Sequence, residues 1–181
     1  MNDLRQDRPM SWIAPNVPRA FPDHAAAERE SLEQWLVFHR RTLLDKCSGL
    51  AGHQLKIASA PPSELTLLGL VRHMTEVERS WFRSRFAGAD LGEKYCTPEY
   101  PDGDFDLIAD ADPEADFMAF RQECELADQA AAGRGLDETF TAPRGRTLNL
   151  RWVYTHMIEE YARHNGHADL LRERIDGTTG D

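Results

Sequence analysis

Four side chains in one stretch, THMIEEYARHNGHADLL at 155–171, have the types and spacing of metal ligands. They are His156, Glu160, His164 and His167. On an α-helix such spacings place all four on one narrow face. With about 100° per residue and Glu160 at zero, the angles are −40° for His156, +40° for His164 and −20° for His167. Val153, Met157 and Leu171 fall within roughly 60° of the same line. The ligand types therefore lie along the stripe that should face a core. A buried polar group without a partner costs about 1–3 kcal/mol, and a bound metal would satisfy several at once.

Glu160 and His164 stand one helical turn apart, close enough to share an ion. One further ligand from a neighbouring helix makes a three-ligand site with open positions, the catalytic rather than structural pattern for zinc. His73 is the histidine nearest the apolar stripe of the helix expected at 67–86, which makes it the natural third ligand. Spacing alone leaves other pairs open: His164 with His167, or His156 with Glu160. His156 and His167 are roughly 16 Å apart along the axis, so one ion cannot take all four. The segment is not an HExxH metalloprotease motif. A dication with an open position lowers the pKa of a bound water or thiol and makes a nucleophile near neutral pH.

The elements that must position these residues read as four long helices. The first is expected from an Asp23 cap to about Ser48, with Gly49 as its stop and an apolar stripe of Leu32, Trp35, Leu36, Phe38, Leu43 and Leu44. His39 on this helix reads as exposed. The second runs from a Thr66 cap over 67–86, with Leu67, Leu70, Met74, Val77 and Trp81 inward. An acidic loop follows at 87–111, whose length suggests a cap over a site or a bundle crossing, and whose run PDGDFDLIADAD reads as solvated. Asp112-Pro113-Glu114 starts the third helix, to about Ala132. DETFTAPRGRTL then suggests a small hairpin or arm. The fourth helix is expected from about Thr147 to Arg174, with Asp176-Gly177 as its exit. Together these predict an all-α four-helix bundle with long crossover connections. Bundles of this kind often build metal sites from facing helices. The domain boundaries are an N-terminal arm at 1–22, the bundle at 23–177 and a tail at 178–181. Trp12, Ile13 and Phe21 are candidate anchors for the arm.

Composition narrows the function. The 181 residues suffice for one domain, and 41% hydrophobic with 29% charged residues is ordinary for a globular protein. A formal charge of −10 argues against nucleic-acid binding, which needs a basic footprint. No apolar run approaches membrane-spanning length and no apolar signal core opens the chain, so no membrane partner and a cytoplasmic location are expected. Cys47, Cys96 and Cys124 are dispersed without a CxxC spacing and read as reduced, small apolar residues.

The helices LLGLVRHMTEVERSWF and WVYTHMIEEYARHNGHADLLRERIDG resemble the DinB-like four-helix superfamily. They are most similar to an actinobacterial branch related to mycothiol-dependent maleylpyruvate isomerase. The similarity covers nearly all of 25–177. It implies a homodimeric four-helix bundle with a divalent metal between helices two and four. Many members use three histidines, whose positions fall here on His73, Glu160 and His164. Glu160 departs from the three-histidine pattern and matches the His/Glu/His set of the isomerase. His167 stands where many relatives carry Gln, which implies a place in the pocket or beside the ligands. The resemblance implies mycothiol or bacillithiol as cosubstrate. The thiolate would attack an electrophile in an S-transfer, or in an isomerisation by addition and elimination. His156 or His167 would be the catalytic proton shuttle. Zinc suits the ligand set, as do nickel, iron and manganese. The competing expectations are a metallohydrolase and a non-catalytic metal-binding or structural dimer.

Overall fold

The computed structural model describes residues 12–180. Residues 1–11 of the expected arm and Asp181 of the expected tail lie outside the described residues. Helix α1 spans Glu28–Cys47. It begins later than Asp23, because the Asp23 carboxylate accepts from the Ala25 N–H at 2.9 Å and closes its own turn. Glu28 and Glu30 occupy the first helical turn instead, where negative charge suits the dipole. Gly49 ends the helix with φ +77° and donates its N–H to Ala14. That bond helps seat the arm: Trp12 packs edge-on to Phe117 at 5.0 Å, and Ala14 is buried.

After the single turn α2 (Gly52–Leu55), helix α3 spans Leu67–Glu78, capped by the Thr66 hydroxyl, which accepts from Gly69 N–H at 2.9 Å. It continues as a π-helix over Arg79–Phe86, closed by the Ala87 N–H donating to the Phe82 carbonyl. The acidic loop carries a one-turn helix, α4 (Gly103–Asp106). Helix α5 spans Pro113–Ala131, with the Asp112 carboxylate accepting from Glu114 and Ala115. The hairpin pairs β1 (Thr139–Ala142) with β2 (Arg146–Asn149) antiparallel. Helix α6 spans Leu150–Asp176 and closes at Gly177, φ +80°. It starts three residues after Thr147, because Thr147 pairs with Thr141 across the hairpin and Asn149 is the cap, accepting from Trp152.

The long helices form an all-α, DinB-like bundle in which α1 packs along α6 and α3 along α5. At its centre one buried guanidinium–carboxylate pair links all four. Arg40 of α1 donates to Glu78 of α3 through Nε at 2.6 Å and Nη2 at 2.8 Å. Its Nη1 donates to Asp128 of α5 at 2.7 Å. Tyr161 of α6 donates its hydroxyl to the same Glu78 at 2.7 Å. Burial opposes charge on Arg40, but its surroundings, Glu78 foremost, together outweigh it and raise the guanidinium pKa. His39, beside Arg40, is half-buried rather than exposed: Asn165 of α6 donates to its carbonyl at 3.1 Å, and burial lowers its imidazole pKa.

Removing one member of a buried ion pair strands the other. Glu78→Ala is therefore expected to lower the free energy of unfolding by about 3–5 kcal/mol, and Tyr161→Phe by about 1 kcal/mol. Urea denaturation measures both. Equal, small losses would show that the buried pair does not tie the helices together.

Candidate metal centre

Helix α6 carries Glu160 and His164 on successive turns, with His164 Nε2 3.5 Å from Glu160 Oε2. Helix α3 brings His73 across from them, its ring centroid 4.8 Å from that of His164. One ligand atom from each of His73, Glu160 and His164 lies within 4.8 Å of the others, and all three side chains are half-buried. The alignment of the two helices follows from the buried knot, since Tyr161 is bonded to Glu78. Tyr161 directly follows Glu160, and Glu78 lies five residues past His73 on the same helix.

His73 is itself held. Its Nδ1 lies 2.7 Å from Asp104 Oδ2, so the carboxylate accepts the Nδ1 proton and leaves Nε2 free to ligate. Asp104 comes from α4, in the segment that reads as solvated in the sequence, yet it is buried. The reason lies in Arg72. Its guanidinium donates to the Asp104 carbonyl at 3.2 Å and to the Gly103 carbonyl at 3.0 Å. It also pairs with Asp116 at 3.2 Å and stacks over Tyr95. Two glycines make room. A Cβ on Gly103 would stand 2.3 Å from the Tyr95 carbonyl oxygen. One on Gly69 would stand 2.6 Å from Phe105, whose ring packs on His73 with centroids 5.3 Å apart. Acidic residues in a Gly- and Pro-rich loop look alike in sequence. The sequence offers no signal that singles out Asp104.

His164 stays neutral well below physiological pH. Burial, with smaller contributions from His73, His167 and Arg163, lowers its pKa to about 4. A metal-binding imidazole must be neutral, so this environment suits a ligand. His167 lies beside it, with the two Nδ1 atoms 3.4 Å apart. His156 stands at the other end of the line, its Nε2 3.9 Å from Glu160 Oε1 and its Nδ1 3.7 Å from Glu159. Its ring stacks on Trp152 and meets Trp81 edge-on. Burial lowers its pKa as well. A second cluster, His156 with Glu159 and Glu160, shares the central carboxylate. Its residues all come from one helix, and Glu159 is exposed and paired with Arg163.

The donor set suits a divalent cation. Tetrahedral ligands at about 2.1 Å from zinc stand about 3.4 Å apart. Glu160 and His164 already have that spacing, and the widest ligand pair must close by at most about 1.4 Å. Three protein ligands leave coordination positions for a substrate atom. A cavity of about 490 Å³ begins at His73 and Asp104 and runs along the π-helix under the acidic loop. No cysteine offers a nucleophile of its own: burial pushes Cys47 up to about 12, Cys96 to about 11 and Cys124 well above the usual thiol range.

Bundle and site together define the class, a DinB-like four-helix protein with a two-histidine, one-carboxylate cluster between its second and fourth long helices. A family profile described as Mycothiol-S-transferase matches residues 31–177, and the chain belongs to that family. No curated protein and no solved structure shows a significant match to the chain. Among the described residues no helix is long and apolar enough to cross a membrane.

Two substitutions separate ligation from orientation. His164→Ala is expected to abolish stoichiometric zinc uptake in elemental analysis of the purified protein. Asp104→Asn is expected to retain the metal with affinity weaker by about 10–100-fold, measured by competition with a chromogenic chelator. Unchanged zinc content in the His164 variant would end the metal reading.

Proposed function

We propose that the chain is a divalent-metal-dependent S-transferase that joins a low-molecular-weight thiol, mycothiol or a close analogue such as bacillithiol, to a small electrophile. The observation that carries this reading is the convergence of His73, Glu160 and His164, with His73 itself lining a cavity, in a member of the mycothiol-S-transferase family. His73, Glu160 and His164 would hold the cation, zinc being the ion this ligand set suits best. The cation supplies Lewis acidity that makes a thiol proton labile near neutral pH. Everything else falls to the chain. Asp104 fixes the His73 tautomer and ring direction. The half-buried trio and the overlying loop limit water around the reacting sulfur. His156 is the better placed proton acceptor, because it contacts both Glu160 and Trp81, and Trp81 lines the cavity.

In the transfer, the sulfur forms a bond to an electrophilic carbon and the bond from that carbon to its leaving group breaks. The leaving group departs with the electron pair, and the thiol proton passes to His156 Nε2 and on to solvent. His167, whose side chain among the described residues bonds only to His164, supports the ligand rather than the proton path. The raised cysteine pKa values favour an external thiol over a cysteine nucleophile.

Zinc-loaded protein with mycothiol and a chlorodinitrobenzene should release chloride faster than the uncatalysed mixture, and only when thiol is present. His164→Ala should lose at least about a hundredfold of that acceleration. His156→Ala should lose about a hundredfold in kcat while keeping its zinc. Turnover of esters or amides without thiol would favour a metallohydrolase. No acceleration across several thiols and electrophiles would favour a non-catalytic metal-binding protein.

A further inference from the structure

The arginines of α3 and its π-helical extension are not alike. Arg72 pairs with Asp116, and both Arg79 and Arg83 pair with Glu123. Arg85 meets no carboxylate among the described residues, although the chain carries 31 acidic against 21 basic side chains. It lies instead over an aromatic ring, its guanidinium carbon 4.1 Å from the centroid of Trp81. Stacking uses the face of a guanidinium and leaves its N–H edge free for an acceptor. Arg85 belongs to the wall of the cavity that starts at His73, together with Val77, Ser80, Trp81 and Ser84. Trp81 also touches His156 at 4.7 Å between centroids, and through it the wall joins the metal trio.

We infer that Trp81 and Arg85 form a subsite that holds a planar, anionic electrophile, its flat unsaturated part against the Trp81 side of the cavity and its carboxylate on the Arg85 edge. Which reactant occupies the subsite rests on the thiol-transfer reading; that the subsite binds a planar carboxylate does not. Trp81 stands two turns beyond His73, roughly 12 Å along the axis, so one aromatic ring fits between the carboxylate and a reacting carbon near the trio. The cavity, about 490 Å³, accommodates such a molecule. Burial, and then the neighbouring Arg146, lower the Arg85 pKa, the direction expected where cationic groups gather without a counter-ion. Arg146, at the start of β2, adds to the positive field at this end of the cavity.

The test is a ligand-detected NMR titration of metal-loaded protein with nitrobenzoate and with its neutral counterpart nitrobenzamide. The acid is expected to bind at least about tenfold tighter, the scale of one charge-assisted pair of hydrogen bonds. Arg85→Gln should remove that preference, and Arg85→Lys should restore part of it. Glu160→Gln, which cripples the trio, should leave it intact. In turnover, the KM for a chloronitrobenzoate should rise about tenfold in Arg85→Gln with little change in kcat, while the matching benzamide is unaffected. Arg85-dependent binding of the acid without any turnover would uphold the subsite and sink the transferase reading. Equal affinity for acid and amide in the wild type overturns the subsite, as does a preference that survives Arg85→Gln or disappears in Glu160→Gln.

Discussion

The buried contact of Arg40 with Glu78 is the constraint on which the rest depends. Charged groups leave water only at a cost of several kcal/mol each unless their partners are well placed. Here the partners come from every long helix: Arg40 from α1, Glu78 from α3, Asp128 from α5 and Tyr161 from α6. The knot therefore fixes how far α3 and α6 slide past each other. A slip of one turn, about 5.4 Å, would break the Tyr161–Glu78 bond and carry Glu160 and His164 away from His73. Apolar packing alone tolerates such slips better, because many leucine contacts are interchangeable, whereas a buried carboxylate has few acceptable partners.

Around that fixed pair of helices the site is built in layers. The α6 ladder supplies two of the proposed ligands one turn apart, α3 supplies the third, and the acidic loop folds back to hold that histidine in place. Arg72 performs the folding back by gathering the Gly103 and Asp104 carbonyls and the Asp116 carboxylate on one guanidinium. A loop that would otherwise remain in solvent thus delivers a single buried carboxylate to His73 Nδ1. The π-helical stretch that follows Glu78 carries Trp81 and Arg85 along the cavity wall, in keeping with the frequent placement of such wide turns at functional sites.

Much of this is legible in the chain. The caps Thr66 and Asp112 and the stops Gly49 and Gly177 act as their residue types predict, because capping depends on a few neighbouring backbone groups. The helical spacing of Glu160 and His164 shows that they share a face. Their meeting with His73 is a tertiary event, which the resemblance to DinB-like proteins suggested and spacing left open. Asp23 and Thr147 misled because each found a different local partner, a turn amide in one case and a hairpin strand in the other. Glu78 left a trace: it falls one turn past Met74 on an otherwise apolar stripe, and a carboxylate there demands a buried cation. Asp104 left none, since its burial depends on Arg72, thirty-two residues away.

The central claim is that His73, Glu160 and His164 bind one divalent ion. X-ray absorption at the zinc edge of the loaded protein reads the ligands directly. The account predicts one zinc per chain with scattering from two imidazoles and a carboxylate oxygen at about 2.0–2.2 Å, falling to one imidazole in His73→Ala. A spectrum with sulfur ligands from the chain, or an imidazole count unchanged in that variant, would contradict it.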